Sequence, residues 1–110
     1  MIPYEIDVPE FAAMMKGEAG EAFTLLDVRE PAELQCARLP GAVHIPMGEI
    51  AMRANQELDP DEQIIVICHH GVRSMNVTMF LRQQGFDKAQ SLAGGIDKYA
   101  REVDAAMARY

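Results

Sequence analysis

Seven consecutive residues, Cys68-His69-His70-Gly71-Val72-Arg73-Ser74, combine a nucleophile, a loop able to turn its amides inward and a fixed cation. They follow Ile64–Ile67, which is apolar at every position and reads as a central strand buried on both faces. A cysteine at such a strand end leaves the sheet and enters a loop whose successive N–H groups can curl around its sulfur. That nest, backed by the N-terminus of the following helix, stabilises negative charge and favours the thiolate. Arg73 adds positive charge at the far end of the loop, and Gly71 permits the backbone angles of a tight turn. Ser74 is expected to N-cap the helix and to complete the ring with its hydroxyl.

The spacing separates two chemistries that use a cradle of this kind. Four residues lie between Cys68 and Arg73. Cysteine phosphatases use a wider ring, which holds a tetrahedral phosphoryl group against the sulfur. A tighter ring has room for one extra sulfur atom on the cysteine, and this points to a persulfide carrier. A phosphatase-like or arsenate-handling enzyme is the competing reading from the same loop.

The elements that must position this loop are legible as alternating short strands and helices. Tyr4–Ile6 reads as a first strand, and Asp7 with Glu10 as a capping box for a helix ending near Gly17. Phe23–Leu26 is an apolar strand stopping at Asp27, and Pro31–Leu34 a helical turn with proline where its missing N–H costs nothing. Ala42–Ile45 is a further strand, followed by a helix through Met47–Arg53. Val77, Phe80 and Leu81 mark a helix ending at Gly85. Ala89–Ser91 is a last strand before Gly94-Gly95 and a helix through Ile96–Ala108. This alternation predicts an α/β fold with a mainly parallel sheet covered on both faces. In such sheets ligands bind beyond the carboxyl ends of the strands. Two of those ends carry chemistry: Asp27-Val28-Arg29 and Cys68 onward.

Composition narrows the class. A chain of 110 residues with 49% hydrophobic and 25% charged residues fits one soluble domain, residues 1–110, with a core that needs no staples. The longest apolar runs, Phe11–Met15 and Ile64–Cys68, are too short for a membrane span or a signal-peptide core. Glu5, Asp7 and Glu10 stand where a targeting presequence would be basic, so a cytoplasmic location without membrane association is expected. The net charge of -7 argues against nucleic acid as a partner. Acidic residues are absent from Gln63 to Phe86, however, a stretch that includes His69, His70, Arg73 and Arg82. A locally positive site in an acidic chain suits a small anionic ligand. Two cysteines, Cys36 and Cys68, are too few for a disulfide framework.

With these residues in view, the sequence resembles the rhodanese-like sulfurtransferases, and in particular their single-domain members. The resemblance rests on Leu25-Leu26-Asp27-Val28-Arg29-Glu30 with Glu33, on Pro40-Gly41-Ala42 with His44-Ile45-Pro46, and on the loop Cys68–Ser74. It continues through Leu81 to Gly85-Phe86 and Leu92-Ala93-Gly94-Gly95-Ile96, so it spans most of the chain. It implies a five-stranded, largely parallel sheet with helices on both faces. It implies that Cys68 attacks the outer sulfur of thiosulfate or another sulfane donor. The resulting persulfide would be held by the backbone N–H groups of His69, His70, Gly71, Val72 and Arg73. Cyanide or a thiol would then remove that sulfur in a ping-pong cycle. Arg73 matches the family's loop arginine, with a carboxylate partner in the Glu30/Glu33 region, and Asp27 and Arg29 match the strand end that supports the loop. No cofactor is implied. A sulfur-carrier protein is a further possible partner, and a relay between proteins with little small-molecule turnover is the alternative function. The chain departs from the common pattern at Ala37-Arg38-Leu39, where many relatives read Gly-His-Ile, and in placing two histidines after the cysteine. Those histidines can change charge near neutrality, so anion affinity is expected to weaken as pH rises.

Blander readings apply to several residues. Neighbouring histidines rarely converge on one ion, so His69 and His70 are expected to face solvent and tune the entrance, with no metal bound. His44 reads as a satisfied structural histidine. Arg29 could reach a substrate anion or form a structural ion pair. Cys36 is either a resolving thiol for Cys68 or a small, partly buried loop residue, and the second reading is preferred. The methionines are read as core filler.

Overall fold

The computed structural model describes residues 2–18 and 22–110. Its strands are β1 (Glu5–Ile6), β2 (Phe23–Asp27), β3 (Val43–His44), β4 (Gln63–Ile67) and β5 (Ala89–Leu92). Its helices are α1 (Val8–Met15), α2 (Pro31–Cys36), α3 (Ile50–Glu57, entered through a 3-10 turn at Met47–Glu49), α4 (Val72–Gln83) and α5 (Gly95–Glu102). The five strands form one sheet in the order β1-β5-β4-β2-β3. Every described pairing is parallel, which makes the fold the five-stranded α/β sandwich expected.

The apolar run of β4 explains why the sheet is covered on both faces. Ile64 and Val66 point into one core with Leu26, Ile50, Val77, Leu81 and Phe86, beneath α3 and α4. Ile65 and Ile67 point into the other with Leu25, Phe11, Leu92 and Ile96, beneath α1 and α5. This is the period-2 alternation of a strand with no solvent face. Register then fixes the site. Asp27 lies level with Ile67 on one side and with His44 on the other. From β2 the chain moves on to β3, and from β4 it moves the opposite way to β5, so the crevice between β2 and β4 is the sheet's switch point. Cys68 and Arg29 emerge there.

Three local expectations are corrected. Helix α4 begins at Val72 with Gly71 as its N-cap at φ 104°, so Ser74 sits inside the first turn and is not the cap. Helix α5 ends at Glu102, short of Ala108, because the N–H groups of both Val103 and Asp104 close on the carbonyl of Tyr99 and turn the chain back. No described methionine is fully buried; Met14, Met15 and Met107 pack only at the rim of one core. At α1, Asp7 does cap the helix, accepting the Glu10 N–H at 2.9 Å.

Candidate active site

The Cys68 side chain is packed against the core beneath α4, and the residue is only 1% exposed. Its sulfur accepts the Gly71 N–H at 3.0 Å and the Ser74 N–H at 3.3 Å, and the thiol lies 3.3 Å from Ser74 Oγ as its donor. Two amides at the N-terminus of a twelve-residue helix therefore aim at one sulfur atom, an arrangement that favours negative charge there. Ser74 Oγ is held in turn by Ser91 Oγ of β5 at 2.7 Å.

The loop is gripped from behind by the start of α5. The Ile96 N–H donates to the Cys68 carbonyl at 2.9 Å and the Asp97 N–H to the His69 carbonyl at 3.1 Å. Gly95 makes this grip possible. A Cβ there would collide with the carbonyl oxygens of Cys68 and His69, and its φ of 64° is costly for any other residue. The Gly94-Gly95 pair was visible in the sequence as punctuation, whereas its contact with the loop was not.

Arg73 is positioned by α2. Its two terminal nitrogens donate to the two oxygens of Glu33 at 2.6 and 2.8 Å, the bidentate geometry that suits guanidinium and carboxylate. The Arg73 bond, opposed in part by burial, pulls the Glu33 carboxyl down to about 2, with help from the Tyr110 hydroxyl and the Glu30 N–H. The same pairing holds Arg73 above its ordinary range. Glu33 is thus a carboxylate partner of the kind expected for Arg73, and because the pair cancels the loop's fixed charge, attraction of an anion rests on the amides and the helix start.

Asp27 and Arg29 stand one layer deeper, both 0% exposed. Arg29 donates to Asp27 through Nε (2.9 Å) and Nη2 (2.7 Å), and to the Ala37 carbonyl at 2.8 Å, just past the end of α2. Arg29 is therefore a structural ion pair that anchors the helix carrying Glu33. Its carbonyl lies 2.7 Å from His44 Nε2, so His44 is a satisfied structural histidine.

The two loop histidines differ. His70 is exposed, at 63% of its side chain, as expected. His69 does not face solvent freely: its ring is sandwiched between His70 and Tyr110, with ring centres 3.9 Å away on each side. Burial, and then the neighbouring His70, push the His69 imidazole below its usual range. This disfavours the His69 cation and moves any charge change of that residue to lower pH than expected. His69, His70 and Asp97 place possible ligand atoms within 4.8 Å of one another. The stacked rings direct their lone pairs along near-parallel planes, and Asp97 is engaged by Arg101 at 3.2 Å and Arg109 at 3.1 Å. That set fits a tetrahedral metal poorly. Val72 turns its side chain to solvent at the helix start. Cys36 closes α2 as an exposed free thiol and is not the partly buried loop residue expected.

Sequence reasoning missed Tyr110 altogether. Its hydroxyl accepts from Arg29 Nη1 at 2.9 Å and donates to Glu33 Oε2 at 2.7 Å. Burial pushes the phenol up to about 12, so it retains the proton it donates.

A cysteine whose sulfur receives two helix-start amides, at the switch point of a five-stranded parallel sheet, defines a class, and comparison with known proteins identifies it. The profile of the rhodanese-like domain family matches residues 7–102, and the chain belongs to that family. It is similar to the thiosulfate sulfurtransferase GlpE of Actinobacillus pleuropneumoniae, at 40% identity over 74% of this chain and 74% of that protein. It is 40% identical to YrkF of Bacillus subtilis, which is named a sulfur carrier protein; the match covers 88% of this chain but about half (54%) of that relative. The crystal structure of a rhodanese-related protein from Thermoplasma volcanium superposes with a TM-score of 0.81 at 32% identity, covering 92% of this chain and 94% of that one. Among the described residues no helix is long and apolar enough to cross a membrane.

Proposed function

We propose that this chain is a single-domain, cytoplasmic sulfurtransferase that carries sulfane sulfur on Cys68, with thiosulfate or a similar small anion as donor. One observation carries the reading: the Cys68 sulfur receives the Gly71 and Ser74 amides of a loop whose arginine is already paired on both arms with Glu33. A phosphoryl group would compete with Glu33 for that arginine, which, with the four-residue spacing, weighs against phosphate ester or arsenate chemistry. A single added sulfur needs only the amides.

In the forward half-reaction the Cys68 thiolate attacks the outer sulfur of thiosulfate. A new S–S bond forms to Cys68, the donor's S–S bond breaks, and sulfite leaves with the electron pair. The persulfide is anionic, and the N–H groups of the loop from His69 to Arg73 supply its stabilisation. Cyanide then attacks the outer sulfur and departs as thiocyanate, returning the thiolate; a thiol acceptor would take the sulfur as its own persulfide. Asp27, Arg29 and Glu33 act only by holding Arg73 and the loop, and Ser74 by fixing the ring.

Intact-protein mass spectrometry tests this directly. Incubation with thiosulfate should add one sulfur that maps to Cys68, and cyanide should remove it; Cys68→Ala should add none while keeping its fold. No gain on a Cys68 that still reacts with an alkylating agent would reject thiosulfate as the donor. If a persulfide-bearing protein then loaded Cys68, the chain would be a relay between proteins, a reading in keeping with the sulfur-carrier name of its relative YrkF.

A further inference from the structure

The segment Val103–Tyr110 lies beyond the residues the family profile matches, yet it returns to the active site and is fastened there at three points. Met107 packs against the core beneath α5, Arg109 Nε donates to Asp97 at 3.1 Å, and Tyr110 ends on the loop itself. The Tyr110 ring lies nearly flat on His69, with planes 10° apart. Its hydroxyl reaches the carboxylate that holds Arg73. His69 follows Cys68 directly and Arg73 closes the loop, so one side chain bridges the first of these residues and the carboxylate that holds the last. The sheet and α4 close the other side of the sulfur, and the start of α5 closes the loop from behind.

We propose that Tyr110 is a specificity-determining residue of this site, admitting small sulfur donors and acceptors to Cys68 while bulky thiols require the Val103–Tyr110 strap to lift first. The inference rests on Cys68 being the sulfur-carrying residue, but the coverage of Cys68 can be measured without any sulfur transfer. A reagent that fits beneath the strap reacts at its full rate. One that does not fit is slowed by the fraction of molecules in which the strap is open.

The experiment compares alkylation of Cys68 by iodoacetamide and by fluorescein-5-maleimide in a Cys36→Ser background, with each adduct mapped by peptide mass. Tyr110→Ala should speed the maleimide about tenfold and iodoacetamide less than about twofold, the signature of a size filter set by an opening equilibrium. Tyr110→Phe keeps the stack but loses both hydroxyl bonds, and Arg109→Ala loosens the strap away from the ring. Each should give an intermediate gain for the maleimide, and they carry the test if Tyr110→Ala does not fold. Equal acceleration of both reagents, or of neither, would overturn the proposal. With thiosulfate-loaded protein, the rate with glutathione relative to cyanide should rise in the same order of variants. Size-selective alkylation without any loading by thiosulfate would reject that donor and leave the filter standing.

Discussion

Two bidentate arginine–carboxylate pairs flank the site, alike in chemistry and opposite in setting. Asp27–Arg29 is 0% exposed on both sides, whereas Arg73 and Glu33 keep 33% and 19% of their side chains in contact with solvent. Arg29 spends its remaining donors on the carbonyls of Glu33 and Ala37 and on Tyr110, all parts of the framework. Arg73 spends its donors on Glu33 and belongs to the loop that surrounds the sulfur. The inner pair fixes where α2 ends, and the outer pair uses α2 to fix where the loop ends. A buried pair is expensive to break because the survivor is left charged and dry, while a half-exposed one can be rescued by water. The first is therefore a determinant of stability and the second of function.

The largest expected effect tests the inner pair. Arg29→Met leaves Asp27 buried without its partner and strips two carbonyls of their donor, which should cost about 3–5 kcal/mol of unfolding free energy. Urea denaturation measures it, and a loss below about 1 kcal/mol would mean that water enters and the pair is no framework. Arg73→Ala makes the opposite case. Its stability loss should stay within about 1 kcal/mol, but transfer from thiosulfate to cyanide should fall about 100-fold, the usual consequence of a reacting group displaced by an ångström or so. Should Arg73→Ala destabilise the chain as much as Arg29→Met does, the division of labour between the two pairs is wrong.

How much of this was legible in the sequence divides along the same line. The run Ile64–Ile67 and the loop after it are readable because period and spacing are local properties, and they deliver the buried central strand and Cys68 together, whereas the strand order that makes this place a switch point is a long-range property. Arg73 was expected to find a carboxylate near Glu30 or Glu33, and Glu33 is the one that pairs with it. That pairing cancels the loop's fixed charge, which composition alone does not reveal, since it counts charges but not their partners. The sequence predicts a longer α5, through Ala108, because Ala105, Ala106, Met107 and Ala108 have good helical propensity, whereas the helix ends at Glu102. Tertiary contacts of Met107 and Arg109 accompany a different path there. Tyr110 was out of reach for a related reason: its partners Arg29 and Glu33 lie 81 and 77 positions away, and no local pattern announces a contact of that range.

The smallest effect concerns the charge that joins the two regions. Arg73 holds the Glu33 carboxyl at about 2 in the folded chain, against 4.5 for an ordinary glutamate. A carboxylate depressed on folding contributes stability that is fully present above its unfolded value and is lost as pH falls through its folded one. The window is therefore about pH 4.5 down to about 2. Because Glu33 is partly wetted, the contribution is a modest one. Measured by urea titration, the stability difference between the unsubstituted chain and Glu33→Gln should be constant above about pH 5 and shrink steadily below it. The Arg29→Met deficit should survive further into acid, because it comes from a lost donor as much as from a lost charge. If the Glu33→Gln difference were flat to pH 2, the neutral carboxyl would hold Arg73 as well as the ionised one, and the outer pair would be a hydrogen bond in which charge plays no part.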